Sequence, residues 1–210
     1  MFRRDDIDVL EDELDDLFAT HDALPDGEQF DMEEALIREQ IDTEEAFENE
    51  LAELLGAPLV VHTEHHVCGP NCDDLQQDIS IRDLLKRDAE QDPLYRRARD
   101  WSRQVAAWAR DRYLLERSPD VFRSLINAHL VPVKIAFAQT ELEREDEFSR
   151  PLGEKEYQLA GTYLLRVAES LNACRKKDVQ DRVLETLIEE AGTLASEITH
   201  RRRHLGTKNT

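Results

Sequence analysis

The stretch "DPLYRRARDWSRQVAAWARDRYLLERSPD" (92–120) decides the fold. It opens on Asp92-Pro93 and closes on Ser118-Pro119. Each pair offers a side chain that can accept hydrogen bonds from free helical N–H groups, then a proline at the helical position that needs no donor. Between the two pairs Leu94, Ala98, Trp101, Val105, Trp108 and Leu115 keep a spacing built on threes and fours, the rhythm of one apolar stripe on an α-helix. The spacing predicts a helix over 93–117 with its stripe turned to a core. Trp101 and Trp108, seven apart, belong to that stripe as core or interface residues rather than to a cofactor box.

The same grammar extends towards the C-terminus. Helices are predicted over 119–147, 152–176 and 178–204, with "SRPLG" (149–153) as a break and Asp178 as the start of the last. Their stripes are Phe122, Leu125, His129, Val133 and Ala136; Tyr157, Leu164, Ala168 and Leu171; and Leu184, Leu187, Ala191, Leu194 and Ile198. Pro132 should kink the second helix. His129 reads as a hydrogen-bonded core histidine, and Cys174 as a small buried residue. Four helices of similar length with short connections pack most simply as an all-α, up-down-up-down four-helix bundle over 80–205. A short helix is also predicted in "IRDLLKRDA", behind Ser80 and Asp83. Residues 206–210 are expected to form a disordered tail.

The N-terminal part is chemically different. Residues 1–55 hold 21 acidic and three basic residues, a charge of −18, whereas the whole chain carries −20. Ile7, Leu10, Leu14 and Leu17 form one apolar stripe among acids, "LPDGEQ" (24–29) breaks the pattern, and a second helical stretch runs over 31–55 with Phe47, Leu51, Leu54 and Leu55 late on its face. This predicts an acidic helical arm over 1–55. It disfavours free nucleic acid, whose phosphates it would repel, and favours a protein partner with a basic surface. Salt adaptation is the competing explanation, and only six of the 27 basic residues are lysine. A homo-oligomer is compatible with the pattern.

Between arm and bundle lies an irregular junction loop, 56–79, containing "HTEHHVCGPNC" (62–72). His62, His65, Cys68 and Cys72, with His66 beside them, are nitrogen and sulfur donors of the kind that zinc takes four at a time, and they suit another transition metal as well. Cys68 and Cys72 are also redox candidates. "CGPNC" is similar to the Cys-Gly-Pro-Cys turn of thioredoxin-like proteins with one residue inserted, but no βαβ pattern follows it.

Other chemistries fail on their donor sets. A di-iron bundle needs two Glu-x-x-His pairs, and only Glu197 and His200 fit, off the apolar stripe. The six arginines of 95–112 are interrupted by Asp100 and Asp111 and read as a solvated face or a dock for the arm. Apolar runs such as "VPVKIAFA" (131–138) are too short to span a bilayer. The expectation is a cytoplasmic, non-enzymatic helical protein for protein interaction or regulation, with a structural zinc site pinning the arm. A metalloenzyme or thiol-redox enzyme using the His62–Cys72 loop is the alternative.

Overall fold

The computed structural model describes residues 27–55, 91–143, 148–177 and 181–206, and all of its regular structure is helical. Six segments follow in order: α1 (Gly27–Leu55), α2 (Pro93–Glu116), α3 (Pro119–Ala128), α4 (Leu130–Glu143), α5 (Ser149–Lys177) and α6 (Arg182–Gly206). The stripe Ile7–Leu17, the helix expected in "IRDLLKRDA" (81–89), the His/Cys loop and residues 207–210 lie outside the described residues, while Gly206, expected in the tail, ends α6.

Capping aspartates set the relation of α2 to α6. Asp92 caps α2, its Oδ1 accepting from the Leu94 and Tyr95 N–H groups at 2.6 and 3.3 Å, while its Oδ2 lies 2.8 Å from Arg201 near the end of α6. Asp181 caps α6 through the Val183 and Leu184 N–H groups at 3.0 and 3.1 Å, and its Oδ2 accepts from Trp108 Nε1, late in α2, at 2.9 Å. The start of each helix is thus tied to the end of the other, so α2 and α6 run antiparallel. Midway, Trp101 is fully buried and donates from Nε1 to the Leu187 carbonyl at 3.0 Å.

Helix α5 packs against α3, α4 and α6. Its approach to α4 is close: a Cβ on Gly153 would stand 2.8 Å from Leu142 Cγ and 3.0 Å from the Ala138 carbonyl oxygen. The last helix buries Leu184, Leu187, Ala191, Leu194 and Ile198, the stripe read from the sequence, and Cys174 is buried as expected. Buried Ser124 and Asn127 donate from their side chains to the carbonyls of Asp120 and Arg123, four residues back.

Several boundaries differ from the sequence reading. Helix α1 begins at Gly27, inside the predicted turn. Helix α5 begins at Ser149, inside the predicted break, because Pro151 falls in its first turn, where no intrahelical N–H donor is required. The cap of the last helix is Asp181 rather than Asp178. The kink expected from Pro132 appears as a break at His129: Pro132 has no N–H for the Ala128 carbonyl four residues earlier, which separates α3 from α4. The break shifts the register, so α4 buries Val131, Pro132, Lys134, Ile135 and Ala138 and turns Val133 outward. In α2 the buried line passes through Ala109 and Tyr113, leaving Leu115 83% exposed.

Taken together, Pro119–Glu143 is long and apolar enough to cross a membrane by composition, unlike the shorter runs weighed in the sequence. Its most apolar stretch is 61% buried, as a core helix is.

Candidate interaction face

Helix α1 lies along α3 and α5 and is fixed chiefly by its carboxylates. At 100° per residue, Glu33 and Glu44 fall on one flank, eleven residues or three turns apart. Glu39 and Glu50 fall on the other flank with the same separation. Between the flanks, Leu36 and Phe47 face the bundle, Phe47 buried and Leu36 partly so.

Each carboxylate has its own dock. Near the start of α1, the Tyr113 hydroxyl donates to Glu33, while Gln29 bonds to Tyr113 at 2.9 Å and to Arg117 at 3.0 Å. Glu39 takes a two-point grip from Arg123, with Nη2 at 2.8 Å from one oxygen and Nε at 3.1 Å from the other. Arg166 lies 3.5 Å from Glu39 and donates to Thr43 Oγ1 at 2.6 Å. Glu44 accepts from Lys134 Nζ at 2.9 Å and from the Tyr163 hydroxyl, and Glu50 pairs with Lys155.

Lys134 is the innermost cation of this face. It sits in the apolar run of α4, only 9% exposed, with its ammonium 5.3 Å from the centre of the Phe47 ring. Glu156 of α5 approaches it to 3.6 Å. Burial pushes the Glu156 carboxyl up to about 7 against the opposing pull of Lys134, with the Glu44 charge adding to the rise. Burial, then the bond to Glu33, raises the Tyr113 hydroxyl to about 12. Burial and the bond to Glu44 raise Tyr163 as well. Both tyrosines therefore serve as fixed hydrogen-bond donors. Burial also holds the Cys174 thiol at about 11, in its unreactive protonated form.

The outer side of α1 is unlike a solvated helix back. Phe30, Ile37 and Ile41 share one flank and are 57%, 44% and 51% exposed. Asp31, Glu34, Asp42, Glu45 and Glu48 are exposed around them.

Beside this flank a groove of about 480 Å³ opens between α2 and the α3–α4 break, with Gln40 of α1 at its edge. Leu125, Ile126, Pro132 and Val133 form its apolar wall. Arg99 and Arg103 of α2 line the opposite side. His129 is half-buried here rather than enclosed in the core, its Nδ1 3.5 Å from Ser102 Oγ.

The metal and redox candidates His62, His65, His66, Cys68 and Cys72 lie outside the described residues. Among the described residues, no group of three or more His, Cys, Asp and Glu is placed to hold a metal ion. Glu197 pairs with Arg97, and His200 stacks edge-on to His204 at 4.2 Å, both away from the core. The docks for Glu39 and Glu44 were not read from the sequence. One signal was present: a lysine inside "VPVKIAFA" must find a carboxylate if its helix is buried. Comparisons with protein-family models, curated proteins and solved structures find no match.

Proposed function

We infer that this is a non-enzymatic, cytoplasmic protein-interaction or regulatory protein. In this reading an up-down-up-down four-helix bundle, fronted by an acidic arm, presents α1 as a recognition helix to a protein partner with a basic surface. One observation carries the reading: α1 is held on the bundle by carboxylates on both flanks yet turns Phe30, Ile37 and Ile41 to solvent. A helix fixed before it binds loses little conformational entropy on binding. Its apolar stripe would fill a groove while the surrounding acids meet a basic rim. The junction loop is proposed to hold zinc through His62, His65, Cys68 and Cys72, clipping the arm to the bundle, since metal binding orders an irregular loop directly.

The test is cross-linking of the full chain in its native extract, compared with an I37D/I41D variant. Both residues are exposed, so helicity should be unchanged. The expected result is loss of a basic partner from the variant. Retention of the same partners would overturn the reading.

A further inference from the structure

The groove between α2 and the α3–α4 break is an apolar cleft with a basic side, the complement of a short acidic amphipathic helix. We propose that its occupant is the chain's own segment Ile7–Leu17, laid in with Ile7, Leu10, Leu14 and Leu17 against the Leu125–Val133 wall and its acids towards Arg99 and Arg103. The inference rests on the groove and on the segment's pattern, not on the partner reading above.

Three quantities agree. The stripe from Ile7 to Leu17 spans about 15 Å as a helix, and the α2 side of the groove, Tyr95 to Arg103, spans about 12 Å. The charges are opposite: residues 1–26 hold ten acids and two bases, while the groove's α2 side carries two arginines. The tether also reaches. Gln29 contacts Tyr113, from which Arg103 is ten residues or about 15 Å back along α2, and residues 18–26 can extend to about 30 Å. The segment enters from the Tyr113 end, with Leu17 near Arg103 and Ile7 near Tyr95. A tether this short holds the segment at about millimolar effective concentration, above what a free competitor normally reaches.

The experiment places the photo-reactive residue p-benzoylphenylalanine at position 14 of the full chain and maps the cross-links by mass spectrometry, in a mixture of isotopically light and heavy chains. The expected product joins position 14 to the Leu125–Val133 segment within one chain. It should fall about tenfold in L10E, which loses an apolar contact, and in V133E. R103E, an exposed substitution that leaves the core untouched, should weaken it in a salt-dependent way. Light-to-heavy products would assign the groove to a second copy and overturn the proposal. So would cross-links elsewhere on the bundle, or a yield indifferent to V133E and R103E. Partner capture by the I37D/I41D pair is read separately, so either idea can fail alone.

Discussion

Among single residues, Glu156 is the one whose chemistry reaches furthest. Its carboxyl sits near Lys134 but is buried with Glu44 close by, and it titrates at about 7 instead of the ordinary 4.5. A folded-state pKa raised this way means the folded chain binds the proton more tightly than the unfolded chain. The resulting stability is fully present below pH 4.5 and is lost as pH rises through 7. The shift corresponds to an upper limit of about 3 kcal/mol. Glu156→Gln, which fixes the neutral form, should therefore be more stable than the natural chain at pH 8 and indistinguishable from it near pH 4.5. Urea unfolding of both proteins across that range measures the difference, and a gap that does not change with pH would show that the carboxyl is not held neutral.

At the scale of elements, the contrast is between helices bound by continuous apolar burial and α1, bound by two apolar side chains together with charge. Helices α2 to α6 interlock through Trp101, Val121, Ile135, Tyr157, Leu164, Leu187 and Leu194, all essentially inaccessible to solvent. Helix α1 contributes Phe47 and Leu36, and burying one such side chain contributes about 1.5–3 kcal/mol. Half-exposed ion pairs add about 1 kcal/mol or less each, although the two-point Arg123–Glu39 grip is of the stronger kind. The double change E39Q/E44Q should raise hydrogen exchange in Gly27–Leu55 about tenfold, equivalent to about 1.4 kcal/mol, and leave α2 and α6 unaltered. Equal acceleration in every helix would mean that α1 is part of the common core. This contrast also explains what was legible in the sequence. Stripes such as Leu184–Ile198 are local and periodic, so they read directly. The register shift after His129 was only half legible, because Pro132 announces a bend but not which residues turn inward beyond it. The docks of Glu39 and Glu44 join residues more than 80 positions apart, and no local rhythm encodes them. The groove is likewise a product of the α3–α4 break meeting α2.

For the whole molecule, the charge division becomes a division of stability. The first 55 residues carry −18, and α1 meets the bundle at Arg117, Arg123, Lys134, Lys155 and Arg166. Salt at about 1 M shortens the screening length to about 3 Å, which weakens the more exposed Lys155–Glu50 pair most and the partly buried pairs of Arg123, Lys134 and Arg166 less, while leaving the apolar core intact. The chain should then open in two stages, with the arm lifting before the bundle melts, so that a single unfolding free energy does not describe it. Trp101 and Trp108 both lie on α2 and report the bundle, whereas exchange across Gly27–Leu55 reports the arm. In a urea titration the arm's midpoint should fall on going from low salt to about 1 M sodium chloride, with the tryptophan midpoint moving much less. If the His62–Cys72 loop clips the arm through zinc, a strong chelator should lower the arm's midpoint further and again spare the tryptophans. An arm midpoint indifferent to chelator, with no zinc in the purified chain, would remove the clip and leave the carboxylate docks with Phe47 and Leu36 as the fastenings of α1. Coincident midpoints under every condition would overturn the division itself, because α1 would then be opening only with the core it rests on.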